Sequence, residues 1–135
     1  MPYTLIDIGA NLAHDSFDDD RDAMMQRAAD AGVGTMIVTG SSDDSNVRAA
    51  ELAAAQPGVL FSTAGVHPHH ASGYTDESDA LIRRLVNEDA VVAVGECGLD
   101  YFRNFSPREA QLDAFRRQLD IARETGLPVF LHQRD

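Results

Sequence analysis

The chain is 135 residues long and 44% hydrophobic, enough for one domain with a core and too little for two. Its 22 acidic and 11 basic side chains leave a net charge of −11, which counts against a basic-patch nucleic-acid module but only weakly against a nuclease whose bound cations carry the positive charge. No apolar run approaches the ~20 residues of a membrane span, the opening MPYTLIDIGAN lacks the signal-peptide pattern, and a lone Cys97 fits a reducing cytoplasm rather than a disulfide framework.

Taken in chain order, the first apolar run is Tyr3 to Ile8. A helical pattern follows from about Ser16 to Ala31, with Phe17, Met24, Met25 and Ala28 on one face and Gly32 as a stop. The second strand is expected at Thr35 to Thr39, and the second helix from about Asp43 to Ala55 with Val47, Ala50 and Ala54 inward. Val59 to Thr63 reads as a third strand. A third helix starts near Thr75 and buries Leu81, Ile82, Leu85 and Val86. Ala90 to Val94 is the fourth strand. Ser106-Pro107-Arg108-Glu109 then predicts a helix capped by Ser106, with Glu109 reaching back as in a capping box. Leu112, Phe115, Leu119 and Ala122 follow at helical spacing, Gly126 closes the helix, and Pro128 to Leu131 forms a fifth strand. The strand runs are near-continuous in apolar character, which suits a parallel sheet buried on both faces. Four βα units and one further strand fit either a doubly wound sheet or part of a (β/α)8 barrel, and periodicity leaves both open.

Polar residues gather at the C-terminal strand ends, where parallel α/β folds place ligands. Glu96 emerges directly from Val91-Val92-Ala93-Val94-Gly95, so its carboxylate needs a partner: a metal ion or an arginine. His132 follows Val129-Phe130-Leu131 at the same height. Alone it reads as a hydrogen-bonded core histidine, and beside Glu96 as a metal ligand. Arg134 should point the same way and grip a phosphate, or else pair with Asp100 or Asp135. His67 and His69 share a face by strand spacing, with Pro68 holding the segment extended, and suit metal, substrate or proton transfer unless they are an exposed loop pair. His14 reads as solvated. Cys97 reads as packing, since Glu96 opposes its ionisation. No dinucleotide fingerprint, nucleophile elbow or P-loop is present.

In order, Asp7-Ile8-Gly9-Ala10-Asn11-Leu12, Ser62 to His69, Val94-Gly95-Glu96-Cys97-Gly98-Leu99-Asp100, Arg103-Asn104-Phe105-Ser106 and Pro128 to Asp135 resemble the TatD family of metal-dependent deoxyribonucleases, across the whole chain. Where most of that family opens with D-x-H-x-H, this chain has D-x-G-x-N, as in the branch nearest TatD itself, so both first-strand histidine ligands are missing. The resemblance implies an α/β fold of the (β/α)8 TIM-barrel type, of which residues 1–135 form a single domain: the first four βα units plus a fifth strand. It implies a hydrolase of the amidohydrolase superfamily, a 3′-5′ exonuclease preferring single-stranded DNA, RNA also being a candidate, with a repair or degradation role. Glu96 and His132 match metal ligands, for Mg²⁺ or else Mn²⁺ or Zn²⁺; His67 and Glu96 match catalytic positions; and Arg134, His69 and Asn104 match substrate-binding ones. The exposed edges of a half barrel predict self-association. The competing readings are an amidohydrolase or phosphoesterase acting on a small substrate, and a non-catalytic α/β assembly domain.

Overall fold

The computed structural model describes residues 3–135. Strands β1 (Leu5–Ala10), β2 (Val33–Val38), β3 (Leu60–Ala64), β4 (Val91–Asp100) and β5 (Val129–Arg134) form one sheet in the order β1-β2-β3-β4-β5. Every neighbouring pair is parallel. A doubly wound sheet reverses its strand order at a switch point, whereas a barrel winds in one direction. The sequential order therefore selects barrel-type winding, the choice that periodicity left open.

Helices α1 (Arg21–Asp30), α2 (Asp43–Ala55), α3 (Asp76–Leu85) and α4 (Arg108–Thr125) fill the connections. Ser42 and Thr75 cap α2 and α3 through reciprocal boxes with Ser45 and Ser78, each such cap stabilising a helix by about 1 kcal/mol. Gly126 ends α4 with φ 74°, as its sequence position predicts.

Packing falls into two clusters. Met36, Val38 and Leu60 meet Ala49 and Ala53 of α2, while Val66, Val91 and Val94 meet Ile82 and Leu85 of α3 and Ile121 of α4. The expectation of burial on both faces holds for β3 and most of β4 and fails for the outermost strands. Leu5, Ile6, Ile8 and Leu131 are all more than half exposed, because β1 and β5 each have a neighbouring strand on one side only.

Four local expectations need correction. The first helix is interrupted: a 3₁₀ turn at Asp15–Phe17 precedes α1, because the buried Arg21 side chain holds the carbonyls of Leu12 (2.9 Å) and His14 (3.3 Å) in a loop. Val47 and Ala54 face solvent, and Asn46, Ala49, Ala50 and Ala53 form the buried face of α2. On α4, Leu119 is 39% exposed, and Gln111 and Gln118 lie inside. Ser106 does not cap α4, which has Pro107 at the N-cap without a side-chain bond. Its hydroxyl donates instead to the His69 carbonyl at 3.0 Å.

Candidate metal centre

The C-terminal ends of β3, β4 and β5 deliver three donor groups to one place. One ligand atom each from His67, Glu96 and His132 lies within 4.8 Å of the others. β4 runs six residues beyond its expected end at Val94, so Glu96 and Asp100 both sit within the strand. Gly98 pairs with His132 in the β4–β5 ladder. Gly98 has φ +144°, and a Cβ there would lie 1.9 Å from the His132 carbonyl oxygen. Only glycine fits this approach of β4 to the ligand-bearing strand.

His132 stands between two carboxylates, with Nδ1 3.1 Å from Glu96 and Nε2 3.0 Å from Asp100. A neutral imidazole has one N–H and can donate to only one of them. A cation held by His132 and Glu96 would resolve the other contact, leaving Asp100 to accept the ring's N–H, as carboxylates behind metal-bound histidines do. The imidazole of His132 and the carboxylate of Glu96 also suit a divalent ion. The residues present thus fit a metal.

Asp100 is the centre of the hydrogen-bonding around the site. One of its oxygens meets both His132 and the His69 Nε2 at 2.9 Å, and the other accepts the Arg103 N–H at 2.8 Å. The Arg103 N–H and the two imidazoles, outweighing burial, hold this carboxyl well below the ordinary carboxylate range.

His67 differs from the other two donors. The segment after it is a 3₁₀ turn, Pro68–Gly73, rather than an extended strand, because Pro68 suits a first-turn position. His67 caps that turn, its Nδ1 accepting the His69 N–H at 3.1 Å. The proton of the neutral ring is thereby placed on Nε2, which lies 3.9 Å from Glu96. Burial first, then the neighbouring imidazoles, push the His67 pKa down to about 4, so the ring is neutral at pH 7 and presents an N–H donor.

Three buried amides that the sequence does not mark as functional hold these strand ends. Asn46 on α2 binds both backbone groups of Gly65, at 2.9 and 3.1 Å. Gln118 on α4 binds both backbone groups of Val66, at 2.8 and 3.1 Å. Gln111 binds both of Asp100, at 2.8 and 3.1 Å. Each clamp sits within one or two residues of His67 or on Asp100 itself. The only signal in the sequence is the seven-residue spacing of Gln111 and Gln118, which puts them on one helical face.

The other predicted residues are dispersed. His69 joins the cluster through Asp100. Arg134 does not pair with Asp100; its guanidinium lies over the Phe102 ring, 4.1 Å from the centroid. Asn104 is exposed, at φ 49°, and donates to the Tyr101 carbonyl. Gly9 and Asn11 line an open pocket of about 360 Å³ with His67, His69 and Glu96. Cys97 is buried, and burial together with Glu96 pushes its thiol up to about 12, which agrees with a packing role. His14 is exposed and caps the first 3₁₀ turn.

The sequence model of the TatD related DNase family matches residues 6–135. A relative named 3′-5′ ssDNA/RNA exonuclease TatD, from Erwinia billingiae, is 48% identical over 131 residues, which are 97% of this chain and 50% of the relative. One of the same name from Cronobacter sakazakii is 51% identical, over 97% of this chain and 49% of its own. The chain thus spans about half the length of the curated relatives it matches. Among solved structures, the TatD homolog YJJV of Escherichia coli K12 superposes with a TM-score of 0.87 at 34% identity, over 96% of this chain and 51% of that one. An uncharacterized amidohydrolase from Saccharomyces cerevisiae gives 0.84 at 26% identity, over 99% of this chain and 49% of that one.

Proposed function

The chain belongs to the TatD related DNase family, and from that premise we propose that it carries half of the active site of a divalent-metal-dependent phosphodiesterase that removes nucleotides from the 3′ end of single-stranded DNA or RNA. The carrying observation is the convergence of His67, Glu96 and His132. The relatives named as 3′-5′ exonucleases supply the substrate class.

Glu96 and His132 would hold the ion, which when bound polarises a phosphoryl oxygen and lowers the pKa of a water. His67, neutral with its proton on Nε2, donates a hydrogen bond to a non-bridging oxygen of the scissile phosphate as charge builds there. Asp100 fixes the rings of His69 and His132. Arg134 and Asn104 would contact the nucleotide chain. Mg²⁺ is the favoured ion, with Mn²⁺ and Zn²⁺ as alternatives, and nucleic-acid degradation or repair in the cytoplasm is the biological setting. No helix among the described residues is long and apolar enough to cross a membrane. Residues 1–135 act as one domain, and the bare outer strands promote self-association.

The deciding measurement is the melting temperature with and without Mg²⁺, Mn²⁺ or Zn²⁺, beside Glu96→Ala. At a hundredfold excess over the dissociation constant, binding to the folded state alone stabilises by about 2.7 kcal/mol. A metal-dependent rise that disappears in the variant supports the site, and indifference to all three ions removes it. Release of 3′ nucleotides from a 5′-labelled single strand then tests the reaction. Turnover of small phosphodiesters or amides alone would transfer the site to the small-substrate reading that the yeast amidohydrolase neighbour keeps in view.

A further inference from the structure

Immediately beyond Asp100, the chain carries two phenylalanines that its fold does not use. Phe102 is 60% and Phe105 62% exposed. Isolated exposed aromatics are ordinary, but these two flank one arginine, and Phe102 also touches a second. The Arg103 guanidinium lies 6.0 Å from the Phe102 ring centroid and 5.8 Å from that of Phe105, and Arg134 lies 4.1 Å from that of Phe102.

The electrostatics of this corner run against those of the whole chain. The net charge is −11, and six other arginines pair with carboxylates within 4 Å. Among the described residues, neither Arg103 nor Arg134 forms such a pair. Two unneutralised guanidiniums next to two bare rings form a local cationic, aromatic surface on an acidic protein.

The surface is continuous with the metal centre. Phe105 meets the His69 ring edge-on at 4.8 Å, and His69 shares Asp100 with His132. Whatever lies on Phe105 is one ring away from the cluster.

Aromatic faces stack nucleobases of any identity, and adjacent arginines hold the phosphates between them. We propose that Phe102 and Phe105, with Arg103 and Arg134 beside them, form a base-stacking platform for the nucleotides of a single strand that flank the scissile bond. This rests on the phosphodiesterase reading above and adds to it a sequence-independent subsite: bases are held by their faces and read by none of their edges.

The test is binding, without divalent ions and with EDTA so that no cleavage intervenes. A labelled oligothymidylate is compared with an abasic strand carrying the same number of phosphates. The wild-type chain should bind the oligothymidylate more tightly. Phe102→Ala and Phe105→Ala should each weaken that binding by about tenfold and leave the abasic strand's affinity unchanged. The chain has no tryptophan, so Phe105→Trp introduces a single reporter whose fluorescence should be quenched by the oligothymidylate and not by the abasic strand. Equal affinity for both strands, or equal loss for both on alanine substitution, overturns the platform and leaves a phosphate-binding phosphodiesterase standing. No binding of either strand, together with no metal-dependent melting shift, overturns the nucleic-acid reading and the platform with it.

Discussion

Four of the five residues of β3 are buried, whereas five of the six residues of β1 are exposed. The two strands are similar in sequence: Leu5-Ile6-Asp7-Ile8 is no less apolar than Leu60-Phe61-Ser62-Thr63. What separates them is cover. β3 and β4 have a strand on each side and helices packed against them, and their exits are clamped by Asn46, Gln111 and Gln118. β1 sits at the end of the sheet and keeps its apolar side chains in the open. The His67 and Glu96 side of the candidate metal centre is thus anchored in covered strands, whereas His132 sits on β5, which like β1 has a neighbouring strand on one side only.

The contrast is tested most severely by removing a clamp. Gln118→Leu keeps the bulk of the side chain but leaves the N–H and carbonyl of Val66 buried without partners. Each orphaned group costs about 1–3 kcal/mol, so the expected loss is roughly 3 kcal/mol, or a fall of about 10 °C in melting temperature. Urea denaturation measures it directly. A loss below about 1 kcal/mol would mean that the strand ends hold their shape without the amide and that the clamps are incidental.

These clamps also mark the limit of what the sequence discloses. The strands were legible because β-branched runs have few other uses, and Glu96 and His132 were legible because a charged or polar residue emerging from such a run needs a partner. The amides were not. A glutamine on an amphipathic helix looks like part of a solvated face, and only the backbone opposite reveals its purpose; Leu119 therefore drew the inward assignment that Gln118 holds. Asp100 was visible at the exit of the fourth strand and as a partner for Arg134, but its bonds to His69 and His132 were not, because two glycines interrupt β4 before it. The histidine pair was placed correctly in space for an incorrect reason. Pro68 starts a turn instead of extending a strand, yet the His67 and His69 rings still lie 4.3 Å apart.

A smaller effect is expected where a helix meets the turn that carries His69. Tyr74 ends that turn and donates to Asp79 on α3 at 2.6 Å, and Arg83 donates to the same carboxylate at 2.8 Å. Burial works against ionisation of Asp79, but the Tyr74 hydroxyl and Arg83 outweigh it and hold its pKa below the ordinary 3.8. A folded-state pKa lowered below the unfolded one contributes stability that is present above the unfolded value and lost as pH falls through the folded one. Asp79→Asn should therefore cost about 1 kcal/mol at pH 7, and the gap to wild type should close below about pH 3.8. A gap that persists unchanged at pH 2.5 would assign the effect to shape rather than charge.

The smallest change is expected at the bare end of the sheet, and it sharpens the comparison from the other side. Ile8 is 64% exposed, so Ile8→Thr removes little buried surface and keeps a β-branched residue in the strand. At low protein concentration its stability should stay within about 0.5 kcal/mol of wild type, as for other surface substitutions. At high concentration the same change should reduce any association seen by light scattering, because an open apolar strand edge is what a second copy would cover. A loss above about 1 kcal/mol in dilute solution would show that β1 is already packed against something in the lone chain. The contrast between an anchored centre and an uncovered edge would then have to be abandoned, since both ends of the sheet would be drawing on the same core.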